Sequence, residues 1–231
     1  MIQVIELKKQ YKEAVVLDVG GLTIPQGECF GLVGNNGAGK TTLFRIMLDL
    51  VRATSGEVRM HDLNVAKHEE WKGKVGAFLD EHMLLSYLTA DVYFETLRKI
   101  HKLSDADMQD HLAKFEELFN DEIVGKKKYI RDLSKGNLKK VGIAAAMIGN
   151  PEVVYLDEPF ENLDPSSQVK LKKFILQEKE RSNTTFLISS HDLNHVTEIC
   201  DRIVLLEKGK IIKDLQEKEQ MLEELNTYFG T

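Results

Sequence analysis

Two short stretches of this chain place together the residue types that phosphoryl-group chemistry needs. Gly34-Asn35-Asn36-Gly37-Ala38-Gly39-Lys40-Thr41 fits the pattern G-x-x-x-x-G-K-[ST], and Thr42 follows it. Such a loop turns tightly at its glycines, so the backbone N–H groups of 35–39 and the start of the next helix converge on anionic oxygens. Lys40 then reaches the β- and γ-phosphates of a nucleotide, Thr41 offers a hydroxyl to Mg²⁺, and Thr42 adds a phosphate contact one position later. The second stretch, Val153-Val154-Tyr155-Leu156-Asp157-Glu158, is an apolar strand ending in two acids. Asp157 is expected to hold Mg²⁺ largely through its water shell, and Glu158 to polarise the attacking water. Alone, a glycine turn can bind nothing and a strand can end in two surface acids. Together they describe a site that hydrolyses a nucleoside triphosphate.

The elements that must position these groups are legible from spacing. The loop follows the apolar run 29–33 and precedes helical spacing at Leu43, Ile46, Met47 and Leu50. Runs 1–8, 15–24 and 28–33 read as strands, broken by Gly20-Gly21 and by the turn Pro25-Gln26-Gly27, and predict an N-terminal antiparallel patch. A strand near 57–60 completes the order strand, glycine loop, helix, strand, which is an α/β order. Thr89 with Asp91 starts a helix expected through Lys102, and Ser104-Asp105-Ala106-Asp107 starts another through Phe119, so 84–150 reads as a helical block. The α/β pattern resumes with apolar runs 153–156, 184–189 and 203–206, each separated by a helix-length segment. The expected fold class is α/β: a P-loop core with a mostly parallel sheet from 1–83 and 151–231, the antiparallel β patch, and an inserted α-helical subdomain over 84–150. The acidic tail 214–225 reads as a surface helix.

At 231 residues the chain is long enough for a sizeable core in one compact, two-lobed unit, and its 42% hydrophobic and 29% charged residues lack the signature of disorder. A formal net charge of −6 argues against a general nucleic-acid binder. Seven basic residues fall in 126–140 (Lys126, Lys127, Lys128, Arg131, Lys135, Lys139 and Lys140) against a single Asp132, and such a run reads as a solvated face. The apolar stretch 141–149 falls well short of the roughly 18 residues a bilayer span needs. Residues 1–6 lack the basic-then-apolar plan of a secretory signal, so the expectation is a cytosolic chain. Cys29 and Cys200, inside apolar segments and without metal spacing, are expected as buried free thiols.

What selects among the many enzymes that use such a loop is the stretch before the acid pair. Leu133-Ser134-Lys135-Gly136-Asn137, then 153–158, then Asn162-Leu163-Asp164 resemble, in that order, the signature, Walker B strand and D-loop of ABC ATPases, with 34–42 as Walker A. The resemblance covers nearly the whole chain. It implies that the nucleotide is ATP with Mg²⁺, that Tyr11 stacks on adenine, and that His191, after the strand 184–190, contacts the γ-phosphate and positions Glu158 and water. Ser134 and the Gly136 backbone, opening a helix expected over 136–150, are implied to contact ATP held by a second ABC subunit, most simply a second copy, so that two chains close head to tail around two nucleotides. Asp164, with Pro165 at a first helical position, would cap a helix at that interface. The implied work is driving a separate transmembrane permease. The chain would then lie on the inner face of the cell membrane and touch it only through that permease.

Lys135 and Asn137 stand where the family usually has Gly and Gln, and Lys135 either draws the opposite ATP by its charge or points into solvent. Asp80, in Gly76-Ala77-Phe78-Leu79-Asp80-Glu81, stands where the family usually has the glutamine that links metal, water and membrane partner. A carboxylate there either ligates Mg²⁺ or repels the γ-phosphate. An acid at this position resembles the branch that exports drugs, peptides or polysaccharides. Two other functions stay open at this point: a soluble ABC ATPase of translation, repair or iron–sulfur assembly, and a degenerate nucleotide-sensing subunit. A single cassette without long coiled coils argues against the first, and intact Lys40, Asp157, Glu158 and His191 against the second.

Overall fold

The computed structural model describes residues 1–216. In chain order, β1 (Ile2–Tyr11), β2 (Ala14–Ile24), β3 (Cys29–Val33) and α1 (Lys40–Met47) are followed by β4 (Ser55–Met60), β5 (Leu63–Asn64) and β6 (Val75–Phe78). Then come α2 (Ala90–Ile100), α3 (Asp105–Ala113), α4 (Glu116–Phe119) and α5 (Lys135–Ala146). β7 (Val153–Asp157), α6 (Pro165–Ser182), β8 (Thr185–Ser190), α7 (Leu193–Ile199), β9 (Arg202–Glu207) and β10 (Lys210–Leu215) complete the order.

The strands form two sheets. In the antiparallel sheet, ordered β2-β1-β4-β5, buried and exposed positions alternate over much of β1, as a sheet with one wet face requires. The other sheet runs β10-β9-β3-β8-β7-β6, and all its pairings are parallel except β10 with β9. Every residue of β3, β7 and β8 is buried, which is why these strands read as unbroken apolar runs: both sheet faces are covered. One core, with Phe30, Phe44, Trp71 and Tyr155, lies against the antiparallel sheet; the other gathers the helical block through Phe94, Phe115, Phe119 and Phe174. Each such ring contributes roughly 1.5–3 kcal/mol by leaving water.

Long-range pairing overrides local order at several points. The strand after α1 continues the antiparallel sheet beside β1, whereas the parallel neighbours of β3 are β8 and β9 from the far end of the sequence. The helix expected through Phe119 breaks into α3 and α4, with Asn120 in the left-handed region closing α4. The stretch between α4 and α5 is not helical; it bears a short 3₁₀ turn at Ile130–Asp132 and a bridge from Tyr129 to Thr89. Asp214 and Leu215 of the supposed tail helix are in β10, where Asp214 binds Arg202 at 2.6 and 2.5 Å; 217–225 lie outside the described residues. The basic run is not wholly a solvated face either. Lys140 is 4% exposed and Lys139 is turned inward, because α5 packs against β6. Cys29 and Cys200 are buried free thiols with sulfurs 3.7 Å apart.

Candidate functional site

Register brings the chemistry to one edge. Val33 pairs with Ser190 and Asp157 with Ser189, so β3, β8 and β7 end level and the residues after them emerge together at the carboxyl edge, the usual place for ligands in such sheets. β8 lies between the strand that feeds the glycine loop and the strand that carries the two acids. The loop at 34–39 leads into α1, whose N-cap Gly39 (φ 110°) offers no side-chain cap, whereas α2, α3, α5, α6 and α7 are each capped by a side chain. The first N–H groups of α1 therefore have no intrahelical acceptor and suit an anion.

Lys40 is 6% exposed; its Nζ donates to Gly34 O at 2.6 Å and lies 3.3 Å from Glu158 Oε1. Glu158 Oε2 accepts from His191 twice, from the backbone N–H at 3.2 Å and from Nδ1–H at 2.9 Å. Lysine, carboxylate and imidazole thus form one chain, with the carboxylate in the middle. Beside it, Thr41 Oγ1 donates to Asp157 Oδ2 at 2.5 Å and Ser189 Oγ donates to Asp157 Oδ1. Burial pushes the Asp157 carboxyl up, and the hydrogen bonds from Ser189 and Thr41 oppose that shift.

The Thr41 hydroxyl and the Asp157 carboxylate converge, and a hard divalent cation takes oxygen ligands of this kind. Among the described residues no group of three or more His, Cys, Asp or Glu side chains is gathered for a metal. Mg²⁺ keeps several waters and takes phosphate oxygens in place of a full protein cage, so it asks few ligands of the protein. Asp80 is not gathered with this pair. Its Oδ2 meets Arg45 at 3.0 Å and its Oδ1 accepts the His82 N–H at 2.9 Å, although it lines one cavity of about 380 Å³ with Asp157 and Glu158.

The remaining sequence-selected residues are spread around this centre. Asn35, Asn36 and Gly37 are exposed, Ala38 is buried, Thr42 is half-buried, and Tyr11 is 51% exposed at the end of β1 with Lys9 Nζ 4.6 Å above its ring. Ser134 caps α5 by accepting the Asn137 N–H at 3.2 Å. Gly136 is required by close approach: a Cβ there would sit 2.8 Å from Asn162 O. Asp164 caps α6, with Pro165 first in the helix. Ser134, Gly136, Asn137, Lys140 and Asp164 line a second cavity of about 590 Å³ that no residue of 34–42 lines; among the described residues no hydrogen bond or ion pair joins Ser134 or Gly136 to that loop. Lys135 is exposed and borders both cavities.

Two polar residues of the centre escape a sequence reading. Ser189 links Asp157 to the Glu158 N–H, at 3.0 Å, and its one signal is its place just ahead of Ser190-His191. Lys139 donates to the Glu158 carbonyl, and nothing in a run of lysines marks which one turns inward.

A family model described as ABC transporter matches residues 17–161. An uncharacterized ABC transporter ATP-binding protein of Synechocystis is 36% identical over 192 residues, 83% of this chain, which spans 54% of that relative's length. The bacitracin transport ATP-binding protein BcrA of Enterococcus faecalis is 33% identical over 224 residues, covering 95% of this chain and 70% of its own. A solved dimeric ATP-binding cassette in a post-hydrolysis state, bound to ADP and Pi, superposes with a TM-score of 0.81 at 22% identity over 94% of this chain and 98% of its own.

Proposed function

This chain belongs to the ABC transporter family as an ATP-binding protein, and on that premise we propose that two copies close head to tail around two ATP molecules to drive a separate transmembrane permease. The observation that carries this reading is the separation of two complementary half-sites on one chain. The loop, acids and histidine sit at the sheet edge, and the capped signature helix lines a different cavity that its own loop does not reach. A second chain related by a two-fold axis brings one half to the other.

In each half-site the uncapped start of α1 and the loop N–H groups bind the phosphates, and Tyr11 stacks on adenine. Lys40 leaves Glu158 for the incoming γ-phosphate, which frees the Glu158 carboxylate to accept a hydrogen bond from the attacking water. His191 holds Oε2 so that this water is in line with the bond that breaks. Thr41 and Asp157 would hold Mg²⁺, which would supply neutralisation of the phosphate charge. The partner's Ser134 and Gly136 donate to the γ-phosphate, so hydrolysis reopens the pair. Asp80, tied to Arg45, acts in coupling to the permease rather than as a ligand of the metal. Its acidity resembles the exporter branch, so outward transport is the proposed direction.

No helix among the described residues is long and apolar enough to cross a membrane. The proposed work is at the inner face of the cell membrane, on the permease. The test is purification from native membranes together with sizing of Glu158→Gln. A copurifying multi-span protein and an ATP-dependent dimer are expected; recovery wholly with soluble assemblies, or a monomer under ATP and Mg²⁺, would sink the reading.

A further inference from the structure

Glu158 sits at φ 49°, a left-handed backbone that non-glycine residues adopt only where the surroundings enforce it. Three contacts enforce it here. Its N–H donates to Ser189 Oγ at 3.0 Å, its carboxylate is held by His191 and Lys40, and its carbonyl accepts Lys139 Nζ. The first two come from the core; the third comes from the helical block, across the cavity that Asp80, Asp157 and Glu158 also line. Lys139 is not a solvated lysine. Its side chain is 13% exposed, and the nearest carboxylate, Glu161, is 3.9 Å away, so its main partner is a main-chain carbonyl. A charge is held that far from water only where a fixed acceptor meets it.

We infer that Lys139 is a positioning residue for the general base: it fixes the Glu158 peptide and ties it to the helix that Ser134 caps and whose first turn carries Gly136. The inference rests on the role proposed above for Glu158. Lys139 lies five residues beyond the Ser134 cap on α5, so the signature turn and the Lys139 backbone belong to one helix, and the inward side chain links that helix to the Glu158 carbonyl. Docking of the signature on a partner's nucleotide then bears directly on the peptide that aims the water-activating carboxylate.

The test compares the wild-type chain with Lys139→Met, which keeps length and helix propensity but removes the donor, and with Lys139→Arg, which restores one. Steady-state ATP hydrolysis, binding of a fluorescent ATP analogue and hydrogen exchange over 158–164 are read together. For Lys139→Met, kcat falls about tenfold, as loss of one charge-assisted hydrogen bond to the catalytic peptide allows. KM for ATP and analogue affinity stay within about twofold, exchange over 158–164 quickens, and Lys139→Arg recovers most of the rate. An unchanged kcat, or losses of kcat and nucleotide affinity in parallel, overturns the inference. If the wild-type chain turns over no ATP, the proposed function fails separately, and exchange still decides: quickening confined to 158–164 supports the positioning role and unchanged exchange refutes it.

Discussion

Replacing Glu158 by Gln tests the centre of the site through binding as well as rate. Without nucleotide, buried Lys40 donates to Gly34 O at 2.6 Å and forms an ion pair with Glu158 Oε1 at 3.3 Å. Unit charges 3.3 Å apart attract by about 5 kcal/mol at an effective dielectric constant of ~20, and desolvation of both groups offsets much of that. Glutamine keeps an oxygen in the same place, so the net loss to the free chain is on the order of 1–2 kcal/mol. ATP has to displace this contact to reach Lys40, and the variant gives it up more readily. Glu158→Gln should therefore bind ATP about 5- to 30-fold more tightly than wild type, while kcat falls roughly 10²–10⁴-fold. Titration with fluorescent ATP and ADP analogues at dilute, monomeric protein concentration isolates the effect from dimer trapping. The gain for ATP should exceed that for ADP, which lacks the γ-phosphate. Equal ATP affinity in variant and wild type, or a wild-type rate of hydrolysis, would show that the Lys40–Glu158 contact does not gate the site.

Other perturbations follow from particular contacts. A Cβ on Gly142 would meet the Phe78 ring at 2.2 Å, so Gly142→Ala should cost about 1–3 kcal/mol and lower Tm by roughly 2–12 °C by calorimetry; an unchanged Tm would mean that α5 and β6 pack less closely. Burial holds the His111 imidazole down at about 4, where it donates to Ala144 O at 2.9 Å. The unfolded chain binds this proton first, so stability is lost as pH falls from about 6.5 towards 4, by up to roughly 3 kcal/mol, and His111→Gln should flatten that part of a denaturant-unfolding pH series. Because Arg45 and His82 hold the Asp80 carboxylate, Asp80→Gln should leave the Mg²⁺ concentration for half-maximal ATPase unchanged and alter stimulation by the permease; a shifted Mg²⁺ midpoint would restore Asp80 as a ligand. That pair is partly exposed, so unfolding should move by less than about 1 kcal/mol.

The candidate nucleotide site was legible in the sequence because its residues are contiguous. Loop 34–42 and the pair Asp157-Glu158 each gather their polar groups within a few residues, and the flanking apolar runs announce the strands that hold them. The caps Thr89, Ser104 and Asp164 were legible for the same reason, since a cap acts on N–H groups two or three positions away. Tertiary structure decided what depends on partners far along the chain. Thr41 meets Asp157 across 116 positions, β8 comes between the loop strand and the acid strand, and β4 leaves the parallel sheet for β1. It also picked Lys139 out of a row of lysines and gave Asp80 to Arg45. Spacing fixes which residues share a face of one element. The register of paired strands and the docking of α5 on the sheet fix what that face meets, and both are set by burying the whole core at once.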